Sequence, residues 1–462
     1  MMTRQGYIYL LVRRTRILVT ALLVTALCYG QERANIRGMG MAQTAVASAL
    51  GLDAVGINPA ILALPGAGKM SLTVLPLGMY VESDFFSYEL YARYLKDRTP
   101  LLELPESDKQ ALLQSFQSRF GHARGEVMAR IFGIALRVNS TGGVAFNVDY
   151  GLVGAARIPR EYARLLLYGN VPGSAFDVDG LALQGYWMRV YGLSYGQYLP
   201  SPSFLKWLSA GVALKLVQGY GYYELHTGAT RLRTASDGSI SGVVPWFARW
   251  TAANSLSRPM DNLFQNPAGY GVGFDIGVAA GVEDFLTFGA SVTNIGSVRW
   301  SRDVNQKSAD SALTTSEPDV YRKVYALLKQ SDGTGSASPF SSSLPSLLRV
   351  GVAAQIDRIP GSGMLPGQLL FGVEYAQAVG PRSPLSHQTR FSFGLEYKPI
   401  IWLPIRTGVA LSGSTGSHIA FGFGLNFRTF VLDVATEDIL LLLEGTRHST
   451  GSVGIGMRVH VP

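Results

Sequence analysis

From Val127 onward the chain repeatedly sets apolar residues against small or polar ones at a period of two. No other feature restricts the possible folds as strongly. Phe132, Ile134, Leu136 and Val138 share one face, as do Val144, Phe146, Val148 and Tyr150 after the turn residues Ser140, Thr141 and Gly142. Opposite them lie Gly133, Arg137, Gly143, Ala145, Asn147 and Asp149. Later, Val272, Phe274, Ile276 and Val278 oppose Gly273, Asp275, Gly277 and Ala279. Near the end, Phe391, Phe393, Leu395 and Tyr397 oppose Ser392, Gly394 and Glu396. Side chains alternate faces along a strand, so each run reads as a β-strand with one greasy face and one small or polar face. About fourteen such segments occur, each near the roughly 9–11 residues that a membrane strand needs.

Alternation is shared by soluble sandwiches, whose polar face is rich in Lys, Glu and Thr because water covers it. Here that face is mostly Gly, Ala and Ser with an occasional charge, which suits a crowded lumen. Charged residues are 16% of the chain, against roughly 25% in a soluble domain. Glycine is 53 of 462 residues. In hydrocarbon a sheet must close, since an open edge leaves unpaired peptide groups at about several kcal/mol each. The expected fold class is therefore all-β: a transmembrane antiparallel β-barrel of about fourteen strands, with short helices in long loops.

Residues 1–30 read as a secretory signal peptide. A basic leader with Arg4, Arg13, Arg14 and Arg16 precedes the apolar run Ile17 to Leu27, which is too short to span a membrane as a helix. Cleavage is expected after Gly30. The only cysteine, Cys28, lies in this leader, so the remainder forms no disulfide. The leader also holds half of the formal charge of +8, and nothing in the rest calls for nucleic acid.

Residues 31–68 fit no ordinary element. Gly38, Gly40, Gly51, Gly56, Gly66 and Gly68 interrupt any helix, and the alanines between them cannot form a core. Such a segment must pack inside something larger, and it is expected to be a plug within a barrel formed by residues 69–462. Long loops are expected near 87–125 and 301–346. In the first, Ser107 and Gln110 make a capping-box pattern ahead of Leu112, Leu113 and Phe116. The second is expected to hold a short helix from Ser316 and a mobile serine-rich tract over 331–343. Tyr186, Trp187, Tyr191, Tyr195, Tyr198, Tyr220, Tyr222 and Tyr223 suit either an interfacial girdle or the filling of a large loop.

The stretch RGMGMAQTAVASALGLDAVGINPAIL resembles the N-terminal motif of the FadL-like outer-membrane transporters and their PorV-type relatives, with Gly38, Gly40, Ala42, Thr44, Ala45, Asn58, Pro59 and Ala60 in the matching places. GYGVGFDIGVAAG, FGASVTNIGSVRW, FSFGLEYKP and PIRTGVALSG resemble barrel segments of the same group. The chain departs from its pattern by ending in His460-Val461-Pro462 without a terminal aromatic. The resemblance implies an outer-membrane conduit of a diderm bacterium for hydrophobic small molecules, gated by an N-terminal hatch. The PorV-type likeness implies an alternative, a non-transporting barrel that docks secreted proteins or an envelope complex. Membrane lipid and the barrel-assembly machinery are the other partners implied.

The plug motif is thus Gly38, Gly40, Asn58, Pro59 and Ala60. Asn58 can bond nearby backbone and Pro59 fixes a turn, so the motif is expected to latch against lumen groups. Asp149, Asp275, Glu374 and Glu396 are the candidate partners. The competing reading makes these carboxylates structural ion pairs with Arg137 or Arg458. No cofactor, metal or catalytic residue is expected. The six histidines lack ligand spacing, Gly271-Val272-Gly273 opens no helix, and Gly68-Lys69 lacks the phosphate-loop spacing.

Overall fold

The computed structural model describes residues 31–64, 68–90, 93, 103–138, 140–169, 171–177, 179–237, 239–251, 266–315, 337–361, 366–380, 389–412, 416–427, 429–440 and 450–461. The signal peptide and the helix expected from Ser316 lie outside these residues.

Nineteen strands form one antiparallel sheet: β1 (Met70–Ser83), β2 (Phe120–Arg137), β3 (Gly142–Pro159), β4 (Ala175–Asp177), β5 (Ala182–Leu199), β6 (Trp207–Thr227), β7 (Arg231–Thr234), β8 (Ile240–Thr251), β9 (Gly269–Gly281), β10 (Leu286–Trp300), β11 (Val304–Thr315), β12 (Phe340–Ser343), β13 (Ser346–Gln355), β14 (Gln368–Val379), β15 (Arg390–Ile400), β16 (Leu403–Ser412), β17 (Gly416–Phe427), β18 (Phe430–Thr436) and β19 (Thr450–Val461). Fourteen of them close a ring. The order runs β1, β2, β3, β5, β6, β9, β10, then β13 to β19, and β19 pairs back onto β1 from Met70↔Val461 to Glu82↔Thr450. Closure removes both edges and satisfies the peptide groups that hydrocarbon cannot.

The other five strands stand beyond the ring. β8 pairs with the last residues of β6, with β11 and with β7; β7 carries β4; β12 pairs with the end of β10. All five lie at the end bearing the long connections. The opposite end has short turns and receives both the start of β1 and the end of β19. Residues 304–315 and 340–343, expected to be loop, are therefore strands: they continue a sheet whose other members are distant in sequence, which local polarity does not reveal.

The alternation sets the two faces of the wall. Val212, Leu214, Leu216, Val272, Phe274, Ile276, Phe371, Phe393, Phe421 and Ile455 point outward and are exposed, while the intervening residues are buried. Such a continuous apolar exterior is stable against lipid. No described helix is long and apolar enough to cross a membrane.

The loop helix spans Glu106–Gln114, with Pro105 at its cap position and no side-chain cap bond. The expected capping box is not formed; Gln110 bonds Glu106 instead, at 2.9 Å. Leu112 and Leu113 pack with Leu104, Leu167 and Tyr168, the last two from a second loop helix, Arg160–Tyr168. The strand after this loop begins at Phe120, earlier than expected.

The aromatics of the middle region divide between two places. Tyr186 and Tyr222 join Val153, Met188, Val190, Val217, Val298 and Trp300 in an apolar cluster on the inner side at the long-loop end. Gly219 makes room for the Trp300 ring, and the indole N–H donates to Ser342 Oγ at 2.8 Å. Tyr195 instead faces outward.

Candidate functional site

Residues 33–63 lie against the inner face of the ring, and nearly all are buried. Short pieces alternate with turns: a helical turn Ile36–Met39, a 3-10 turn Gly51–Ala54 and another, Pro59–Ala63. Thirteen of the fourteen ring strands meet this segment with a glycine. Gly78, Gly133, Gly143, Gly196, Gly211, Gly277, Gly289, Gly351, Gly372, Gly394, Gly408, Gly422 and Gly454 all have its atoms where a Cβ would project. A methyl on Gly408 would sit 2.6 Å from the Met41 carbonyl carbon, and one on Gly394 2.8 Å from the Met41 oxygen. The fourteenth strand, β18, offers Ala435 to Ile36 and Met39. Glycine's missing side chain lets backbone approach backbone, so the wall is drawn in around the segment.

Burial of so many peptide groups requires partners for them. Asn58, fully buried, uses both ends of its amide: Oδ1 accepts from Ala60 N–H at 3.1 Å, and Nδ2 donates to the carbonyls of Val46 at 3.0 Å and Val278 of β9 at 3.1 Å. Pro59 then opens the 3-10 turn, and Gly277 leaves the space that Asn58 fills. Gly38 donates its N–H to Asn35 Oδ1 at 2.9 Å, while Gly40 packs on Gly422.

The carboxylates expected to hold Asn58 hold other groups. Asn58 bonds backbone carbonyls because its NH₂ donors lie beside the β9 backbone, not beside an acid. Glu374 accepts the N–H groups of Ala45 and Val46, each at 2.8 Å. Glu396 accepts Arg37 of the segment at 2.9 and 3.1 Å, and Arg406 of β16 at 2.6 Å. Asp149 pairs with Arg130 at 2.8 Å, and the Arg130 guanidinium reaches on to the carbonyl of Leu52 at 3.0 Å. Asp275 pairs with Lys215 at 2.7 Å and accepts the N–H of Asn294 at 2.7 Å, at a bulge of β10 where Asn294 has φ 60°. Arg137 is exposed at the end of β2 and donates to the Ser140 carbonyl at 3.2 Å, away from every one of these acids. Arg458 pairs with Asp53 of the segment and Asp433 of β18.

These groups join into a line of alternating charge: Asp53, Arg458, Asp433, Arg406, Glu396 and Arg37, with both ends on the segment and the middle on the wall. Arg33, which bonds Glu126 and Glu437, lies 3.9 Å from the Tyr80 ring centre. Beside it a polar cavity of about 60 Å³ is lined by Arg33, Tyr80, Glu82, Arg124, Arg390 and Glu437, among others. Arg37, Arg130, Arg349, Arg406, Asp53 and Asp433 went unremarked in the sequence. Arg349 and Arg406 carried one usable signal: a lone charge at the same parity as an inward glycine of the same strand, Gly351 and Gly408. Among the described residues no group of three or more His, Cys, Asp or Glu side chains could hold a metal ion.

A closed antiparallel ring of fourteen strands, apolar outside and packed with small and charged groups within, defines a transmembrane β-barrel of the outer-membrane type. The chain belongs to the family of unknown function DUF5723, which matches residues 60–437. Comparison with curated proteins finds no match. Among solved structures the chain is similar to a FadL homologue of Pseudomonas aeruginosa, with 12% identity, coverage of 92% of this chain and 97% of that one, and a TM-score of 0.45. It is also similar to the toluene transporter TodX of Pseudomonas putida, at 12% identity, 94% and 96% coverage and a TM-score of 0.42. A TodX deltaS2S3 mutant monoaromatic hydrocarbon channel matches at 11% identity, 93% and 98% coverage and a TM-score of 0.47. The strand register itself defines the fold.

Proposed function

We propose that the protein is an outer-membrane conduit for hydrophobic small molecules, exported by a cleaved signal peptide, in which residues 31–68 act as a hatch. The observation that supports this reading is the reach of the segment: it meets all fourteen ring strands. An apolar cluster around Trp300 lies on the inner side at the long-loop end. The hatch is held by directional polar bonds, which break and re-form as discrete states more readily than an interlocked apolar core.

Vesicles containing the purified protein test the proposal with a radiolabelled hydrophobic probe such as toluene. Deleting Ala34 to Leu64 is expected to raise uptake. A disulfide between Cys residues introduced at Ala42 and Ala410, which pack together, is expected to abolish uptake until reduced. Uptake unaffected by both changes in a folded barrel overturns the hatch.

The five strands beyond the ring favour a second reading, a barrel that docks secreted proteins or envelope partners on this ordered surface. Absence of probe uptake in every variant, with specific capture of such partners lost on removing β7 and β8, supports it instead.

A further inference from the structure

On the outer wall five strands bring one row of residues into register. Tyr150 of β3 lies opposite Arg189 of β5, Arg189 opposite Gln218 of β6, Gln218 opposite Tyr270 of β9, and Tyr270 opposite Arg299 of β10. Directly paired residues share a face, and Tyr270 is 60% exposed, so the row faces outward. The Arg189 guanidinium lies 4.4 Å from the Tyr150 ring centre and 5.1 Å from that of Tyr220, and it donates to the Tyr191 hydroxyl at 3.2 Å. Tyr220 in turn donates to the Gln218 amide oxygen at 3.0 Å. These contacts fix one cation against the wall. Among the described residues no carboxylate pairs with Arg299, which is exposed.

Toward the short-turn end the next rows become apolar, mixed in the first and wholly so in the second. Val148, Tyr191, Leu216, Val272 and Ser297 form the first, and Phe146, Leu193, Leu214, Phe274 and Ile295 the second. The two arginines therefore stand at the boundary between the hydrocarbon-facing wall and the long-loop side, where aromatic belts mark the membrane surface. Immediately beside them a groove of about 740 Å³ opens outward, lined by Leu216, Val272, Tyr191, Tyr270 and Arg299, among others. That volume falls within the roughly 300–1,000 Å³ of ligand clefts.

The geometry points to a site for one anionic membrane lipid with two phosphates in its headgroup, its acyl chain lying in the groove against Leu216 and Val272. Three strand spacings separate Arg189 from Arg299, about 14 Å, too far for one phosphate to bridge yet suited to two. The exposed Tyr270, in the row between them, supplies a neutral hydroxyl donor. The apolar groove and the paired cations together distinguish such a lipid from a free anion, which has no use for the groove.

Native mass spectrometry of the detergent-purified full chain, with diphosphoryl lipid A, monophosphoryl lipid A or phosphatidylcholine added, tests this. Diphosphoryl lipid is expected to be retained about tenfold better than phosphatidylcholine. Arg299→Gln is expected to reduce it to the level of the monophosphoryl form, and Arg189→Gln with Arg299→Gln to remove the preference. Lys398→Gln, elsewhere on the barrel, should leave it intact. Equal retention of all three lipids by the wild type, or an undiminished preference in Arg299→Gln, overturns the proposal. Heat-modifiable migration verifies folding of each variant, and Arg299→Gln alone decides the matter should the double variant not fold.

Discussion

Arg37, in the segment across the lumen, grips Glu396 of β15 with two hydrogen bonds of 2.9 and 3.1 Å. Glu396 is also the acceptor for Arg406, so one carboxylate balances a cation from the segment and another from the wall. Glu396→Gln takes from Arg37 the carboxylate it pairs with and leaves Arg406 to Asp433 alone, a change of about 3–5 kcal/mol. The expected result is loss of protection of Arg33 and Arg37 from trypsin in detergent, with heat-modifiable migration retained. Protection equal to wild type would show that the bond is not what holds the segment. Replacing Arg37 and Glu396 together with methionines is expected to restore much of the loss, because no lone charge is then buried.

The glycines of the wall make a separate prediction. Gly277→Ala places a methyl where the Asn58 side chain now lies, and the same holds for Gly211→Ala at Pro59. Overpacking of this kind costs about 1–3 kcal/mol. Hydrogen exchange of the amides of residues 57–63 is expected to accelerate in both variants. Unchanged exchange would mean that the segment sits more loosely than these contacts indicate.

Outward positions should respond by depth rather than by packing. Phe274→Arg, in the middle of the apolar wall, is expected to lower stability in vesicles by about 2–4 kcal/mol. Arg at Asn305, on the sheet beyond the ring, should change it by less than about 0.5 kcal/mol. Equal effects at both sites would remove the membrane assignment of this face.

The two loop helices are coupled by a titratable bond. Tyr168 donates to Glu106 at 2.7 Å, and this bond, with help from Gln110, holds the Glu106 carboxyl below its ordinary value. A lowered folded value means that the contribution is present above the unfolded value and fades as pH falls through the folded one. Exchange of the amides of residues 160–168 is therefore expected to quicken at acid pH in the wild type and to be pH-independent, beyond intrinsic chemistry, in Tyr168→Phe. A pH response that survives in that variant would place the coupling elsewhere.

The barrel was legible in the sequence because its signal is local. Val272 to Val278 and Phe391 to Tyr397 declare their two faces within a single strand, and fourteen such runs closed into fourteen staves. The extra strands were not, since residues 304–315 acquire strand character only from β8, which is more than fifty residues away. At the candidate site, the conformation of Asn58-Pro59-Ala60 follows from local chemistry, so Asn58 was rightly singled out while its wall partner was not. The backbone oxygen of Val278 is a group every residue possesses, and no pattern of side chains could mark it. Arg406 was readable in principle as a charge at the parity of Gly408, but its alternation with Glu396, Asp433 and Arg458 exists only once the five strands β15 to β19 lie side by side.

The collar of glycines also bears on the order of events during biogenesis. A wall fitted this closely to a backbone has no gap through which Met39 or Met41 could slip once β19 has zipped onto β1. The order this fit favours is docking of the segment first and pairing of β19 with β1 afterwards. A barrel that closes too soon would be empty, wider in its tolerance of side chains at those thirteen positions, and distinguishable from the native one by nothing in its strand order.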